Sequence, residues 1–242
     1  MSSESFAGDR SAGDFDESQF GGVARLFPLP GVSLFPRLVQ PLHVFEERYR
    51  ALMEDALADD GLIAMAVLKP GWEPDYPSRP ALEPVACLGK IVAHHRLEDG
   101  RFNLLLAGVR RVRIEQEIEP PQAFRRANVT LLHEREPHDD KAQIEAVRQR
   151  IATAFRRALP SEPPVQLQEI LTSEAPLSLL TDLAAFTLPL PDKIKRRLLA
   201  EIDVTARAEI LLETLDSSAD EATEADGLSG TGWGYPPSFS DN

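Results

Sequence analysis

Between Arg25 and Leu132 the apolar positions fall into short runs and alternations of strand length. Leu62 to Leu68 is a continuous apolar run bounded by Asp59-Asp60-Gly61 and Pro70-Gly71, which predicts a buried strand. Val85 to Leu97 predicts a second, with Gly89 marking a bulge or bend. Glu98-Asp99-Gly100 is a hairpin turn, since Asp-Gly tolerates the positive φ that tight turns need. Arg101 to Ala107, Val109 to Glu115 and Phe124 to Leu132 follow as strands. A helix over His43 to Leu57 interrupts them, with Phe45, Tyr49, Leu52, Met53 and Ala56 at helical spacing and Glu46 four residues before Arg50. Five prolines between Pro70 and Pro84 make that stretch a long loop carrying Trp72 and Tyr76.

The period changes after residue 138. Asp139-Asp140 suits a helix start, and Ile144, Val147, Ile151 and Phe155 form one stripe ahead of Leu159-Pro160. Val165 to Leu171, Pro176 to Leu188, Pro191 to Ile202 and Val204 to Leu215 predict four more helices. Strands first and helices afterwards give an α+β chain: a small barrel or folded sheet, then a compact helical bundle.

Composition adds the ends. Residues 1–22 carry Glu4, Asp9, Asp14, Asp16 and Glu17 against Arg10, and residues 217–242 carry five acids and no base, so both read as disordered acidic tails. The expected division is therefore a tail to residue 22, a β-rich part over 23–135, a helical part over 136–216 and a tail from 217. Of the net charge of −13, nine units sit in the two tails, and residues 85–200 hold 18 basic and 15 acidic residues. The acidity as a whole argues against nucleic acid and anionic membranes, though less for the middle of the chain. No apolar stretch is long enough to span a bilayer, and the start of the chain lacks a signal-peptide pattern. Cys87 is the only cysteine, which favours a reducing, cytoplasmic setting.

Three segments resemble the substrate-binding domain of Lon proteases. Leu34-Phe-Pro-Arg-Leu-Val-Gln-Pro-Leu-His-Val-Phe-Glu-Glu-Arg-Tyr-Arg50 is similar to the family's opening turn and first helix. Gly89-Lys-Ile-Val, then Asp99-Gly100 through Gly108-Val-Arg-Arg-Val-Arg-Ile114, is similar to its hairpin and Gly-apolar-x-Arg strand. Leu180-Thr-Asp-Leu183 and Lys195 to Arg207 resemble its helical part, and Lys69 to Tyr76 resembles the insert of free-standing bacterial members. Arg37 departs from the pattern, standing where the family usually has glycine, so a glycine-only turn is not assumed there. The resemblance implies a PUA-like pseudo-barrel with a helical bundle, binding unfolded or degron-bearing polypeptide. A separate protease or chaperone is an implied partner, and neither chemistry nor a cofactor is implied.

Catalytic motifs do not compete with that expectation. Gly-x4-Gly-Lys-Ser/Thr occurs nowhere, and the 27 residues after Leu215 are too few for an ATPase or a peptidase, so the expected protein is not an enzyme. Cys87 sits in an apolar strand, His94 and His95 are adjacent and face opposite ways, and His133 and His138 flank an acidic loop; no metal site is expected. His43 is read as supporting the helix it begins. The candidate polypeptide-binding residues are Phe35, Leu38, Leu42, Phe45, Trp72 and Tyr76, lining a groove between barrel and bundle. A core role is preferred for Phe35, Leu42 and Phe45, while binding and packing stand level for Trp72 and Tyr76. The alternative is RNA binding through Arg110, Arg111, Arg113, Arg125 and Arg126, should these share one face.

Overall fold

The computed structural model describes residues 7–8, 15–76, 78–119, 123–137, 141–158, 170 and 175–225. Seven strands form one sheet: β1 (Ala7–Gly8), β2 (Val23–Pro28), β3 (Val39–Val44), β4 (Leu62–Ala66), β5 (Val85–Arg96), β6 (Phe102–Glu117) and β7 (Arg125–Leu132). Pairing of β4 with β5, β5 with β6, β6 with β7, β7 with β2 and β2 with β4 closes a ring. Among these five pairings only β2–β4 is parallel. The 16-residue β6 is long enough to pair with β3 through its first half and β7 through its second.

Five strands leave a narrow interior, and the chain fills it with small residues. Ala24, Ala64, Ala66, Ala86 and Ala127 are buried there with Leu26, Leu88 and Val112. The alternating positions Phe27, Ile63, Met65 and Cys87 point outward into a larger core. This explains the unbroken apolar run at Leu62–Ala66: both faces of β4 are covered, so no polar position alternates.

The helices are α1 (Glu47–Leu57), α2 (Lys141–Ala158), α3 (Leu177–Thr187), α4 (Asp192–Ala200) and α5 (Val204–Ala225). Their apolar faces join the outer core continuously, through Leu52 and Met53 of α1, Phe155 of α2, Leu180 of α3, Leu199 of α4 and Leu211 of α5. The expected strands are present, with Arg101–Ala107 and Val109–Glu115 merged into one. The α+β class is observed.

Several expectations change. His43 lies in β3, not at a helix start, because α1 begins at Glu47. Glu46 does not engage the Arg50 side chain; it receives hydrogen bonds from Arg48 Nε at 2.9 Å and Tyr76 Oη at 2.9 Å. Residues 15–22, assigned to a tail on charge, are folded: Asp16 caps a 3₁₀ turn at Glu17–Gln19, and Phe15 and Phe20 pack on the barrel. α5 likewise runs past Leu215 to Ala225. Ala7–Gly8, also assigned to the tail, pair with β5 as β1. The expected helix at 165–171, apart from the helical Ile170, the Asp139-Asp140 cap and tail residues 1–6, 9–14 and 226–242 lie outside the described residues.

Gly89 and Gly108 fix how the strands cross. Gly89 pairs with Gly108 but Leu88 pairs with Arg110, so Val109 is an extra, unpaired residue. This bulge exchanges the two faces of β6: Leu104 and Leu106 point into the outer core before it, and Arg111 does so after it. A side chain at Gly108 would collide with the Phe35 carbonyl, which the chain needs close by, since Arg37 N donates to Gly108 O at 2.7 Å and Gly108 N to Leu38 O at 2.8 Å. Arg37 adopts φ 67°, the left-handed conformation that the absence of glycine had left unassumed.

Candidate polypeptide-binding surface

Among the described residues, the junction of barrel and bundle is packed around Phe35, Arg111 and Arg207. Phe35 is fully buried, with the Arg111 guanidinium 6.0 Å from its ring. It is a core residue and drops out of the candidate surface. Arg111 itself has no exposed side-chain surface; its Nη2 donates to Asp182 Oδ1 at 2.6 Å, its Nη1 to Glu134 Oε1 at 2.8 Å and its Nε to Leu199 O at 2.9 Å. Arg207, equally buried, donates to Glu134 Oε1 at 2.6 Å and to Thr181 Oγ1 at 3.0 Å. Arg37 reaches in from the surface, donating to Glu134 Oε2 and Asp182 Oδ2 at 3.1 Å each. Three guanidiniums and two carboxylates thus tie the β6 bulge and the left-handed turn to α3 and α5. Burial pushes the Glu134 carboxyl up, but the charges and hydrogen bonds of Arg207, Arg37 and Arg111 together hold it below the ordinary range.

The accessible apolar surface lies on β3 instead. Val39 is 46% exposed and Phe45 50%, two of the three exposed large apolar residues among those described. The register sets Val39 opposite Ala107, Pro41 opposite Leu105 and His43 opposite Asn103, so these six share one face. His43 Nδ1 lies 2.6 Å from Asn103 Oδ1, and its ring stacks beside Phe45 at 6.1 Å. Leu38 and Leu42 are half-buried and pack from β3's side of the turn onto the outer core. β3 is an edge strand with Pro41 in its middle, where the missing N–H discourages an added strand. The face therefore offers side chains more than backbone.

The Trp72–Tyr76 loop joins this face at Glu46. The two rings stand edge to face at 5.3 Å, and Arg48 lies 4.9 Å over Tyr76 while Tyr76 hydrogen-bonds Glu46, the residue after Phe45. Both aromatic residues are half-buried. Behind Tyr76 is a cavity of about 150 Å³ lined by Leu26, Pro28, Tyr49, Tyr76, Phe124 and Arg125. Sequence reasoning missed Val39, Leu105 and Ala107. The signal was the alternation Val39-x-Pro41-x-His43-x-Phe45, hidden by assigning its end to a helix.

The five arginines of the alternative reading do not form one face. Arg111 is buried, Arg110 pairs with Glu17, and Arg125 pairs with Glu117 and donates to Pro80 O at 2.7 Å, leaving Arg113 exposed and Arg126 half-buried. Adjacent positions on a strand face opposite ways, which separates Arg110 from Arg111 and Arg125 from Arg126. Cys87 is buried, and burial pushes its thiol well above its ordinary range, away from nucleophilic use. No group of three metal-ligating side chains occurs among the described residues.

The family model described as the ATP-dependent protease La (LON) substrate-binding domain matches residues 23–217. The chain belongs to this family. Lon proteases of Cytophaga hutchinsonii and Heliobacterium modesticaldum are 25% and 29% identical to it over 84% and 78% of this chain. Those alignments take in only 25% and 23% of the relatives' length, so the chain spans about a quarter of the Lon proteases it matches. Its fold is that of the N-terminal domain of Mycobacterium avium complex Lon protease, with a TM-score of 0.65, 20% identity and coverage of 80% of this chain and 98% of the other. A Xanthomonas campestris Lon N-terminal domain protein gives 0.58 at 24% identity, covering 79% and 97%. The similarity to Lon therefore falls on its substrate-binding domain. No described helix is long and apolar enough to cross a membrane.

Proposed function

We propose that this Lon substrate-binding domain is a non-catalytic module that holds unfolded or degron-bearing polypeptides and presents them to a separate protease or chaperone in the cytoplasm. The observation that carries the reading is the exposed apolar face along β3, with Val39 at its start and Phe45 just past its end. There Tyr76 of the Trp72–Tyr76 loop hydrogen-bonds the adjoining Glu46. An unfolded client exposes the apolar side chains that such a face accepts, and aromatic anchors supply most of the binding energy in such contacts. Leu38 and Leu42 support the face from below, and the cavity behind Tyr76 offers depth for one inserted side chain. The β-rich part over 23–135 would carry this surface, with the helical part over 136–216 bracing it through Arg111.

The test is binding of a permanently unfolded probe, reduced and carboxymethylated α-lactalbumin, against its native form, read by fluorescence anisotropy. The unfolded form should bind and the native form should not. Val39→Asp with Phe45→Asp should weaken binding about tenfold or more, equivalent to about 1.4 kcal/mol, and Trp72→Ala with Tyr76→Ala should also weaken it. Equal binding of both forms, or indifference to both double variants, would remove the reading. Incubation with casein, with and without ATP, should leave casein intact.

A further inference from the structure

Residues 15–20, Phe-Asp-Glu-Ser-Gln-Phe, precede the part of the chain that matches the Lon domain, yet they are bound to the barrel like a ligand. Phe15 and Phe20 face each other edge to face at 5.9 Å, brought together by the 3₁₀ turn that Asp16 caps. Both pack onto the core that fills the barrel, the same core that Val109, Ile114 and Leu131 pack against. Between them Glu17 forms an ion pair with Arg110, and its other oxygen lies 3.8 Å from His133 Nδ1. Arg110 follows the bulged residue Val109 and lies on the opposite face of β6 from Arg111, which points into the outer core. The buried Nε of Arg110 has no acceptor among the described residues, which leaves it suited to a carboxylate offering both oxygens.

We propose that this edge of the barrel is a second peptide site, distinct from the β3 face. It selects an acidic segment with two aromatic residues five positions apart, and residues 15–20 occupy it in cis as a displaceable strap. Two apolar seats and one guanidinium set that specificity. Without the strap, the part of the barrel core that Phe15 and Phe20 cover would be an apolar patch beside an arginine, complementary in charge to such a segment. A tether of a few residues gives an effective concentration on the order of millimolar. A site with an intrinsic Kd of about 0.1 mM would then be mostly closed in cis, and a peptide in trans would bind about tenfold more weakly than to the open site.

The probe is a fluorescein-labelled peptide of residues 13–22, titrated by anisotropy into the full chain. The Phe15→Ala, Phe20→Ala double variant should bind it about tenfold more tightly than the wild type. Adding Arg110→Glu should abolish that gain, and a peptide with Glu17→Lys should restore binding to the Arg110→Glu protein. A peptide of the same charge with both phenylalanines replaced by alanine should not bind. The full chain carrying only Glu17→Lys opens the strap by a surface change, and should gain affinity in the same direction if the double variant does not fold. Equal affinity for wild-type and strap-released proteins, or indifference to Arg110→Glu, would overturn the proposal. Because Val39 and Phe45 are not part of this site, loss of unfolded-protein binding in the β3 variants leaves this result readable by itself.

Discussion

Replacing Asp182 by alanine tests whether the buried ionic cluster fastens bundle to barrel. Asp182 is fully buried on α3 and accepts from Arg111 Nη2 at 2.6 Å, Arg111 Nη1 at 3.2 Å and Arg37 Nη2 at 3.1 Å, with Arg207 Nε 3.6 Å away. Its loss leaves three guanidiniums sharing one carboxylate, Glu134, and two of the three have no access to water. Removing one partner of a buried pair costs about 3–5 kcal/mol, most of it from the stranded charge. For a domain of this size, that corresponds to a fall in Tm of about 6–20 °C. Urea unfolding followed by circular dichroism reads the change as a lower midpoint at constant slope. Arg111→Met combined with Asp182→Leu removes both charges and keeps the volume, so the double variant should be more stable than Asp182→Ala alone. A cost below about 1 kcal/mol for Asp182→Ala, or a double variant less stable than that single one, would refute the claim that the cluster's charges depend on each other.

Two further outcomes follow from the same region. Arg37 holds a left-handed φ that costs a side-chain-bearing residue about 1–2 kcal/mol; Arg37→Gly should therefore be more stable than Arg37→Ala by about 1 kcal/mol in urea unfolding, since both lose the ion pairs and only glycine relieves the backbone. The lowered Glu134 pKa gives a pH dependence of definite sign: its contribution is fully present above its ordinary value of 4.5 and disappears as pH falls through the lower folded value. Glu134→Gln should flatten the acid limb of a Tm-against-pH profile below pH 4.5, and an unchanged limb would assign that sensitivity to other carboxylates.

Local chemistry made much of this protein legible in its sequence. Periodicity two, then 3.6, separates strands from helices, because side-chain direction repeats with the backbone. Asp99-Gly100 marked the hairpin, Gly89 the bulge, and the spaced motifs the Lon-like character, since each reflects a backbone geometry that few residues tolerate. The placement of the binding face was not legible. Phe35 and Phe45 are ten residues apart and equally apolar, yet the crossing over Gly108 buries one and the edge position of β3 exposes the other. Arg110 and Arg111 are adjacent in a basic run, and one extra residue in β6 sends Arg111 into the core and leaves Arg110 to Glu17. Residues 15–22 read as a tail because their charge outweighs two phenylalanines in composition, whereas folding counts where those rings land. Sequence alone determined β4 to β7, most of the described helices, their order and the family, which depend on neighbours along the chain. It missed β1, β2 and β3. Only the tertiary structure decided which faces are covered, because burial depends on contacts between segments far apart in sequence.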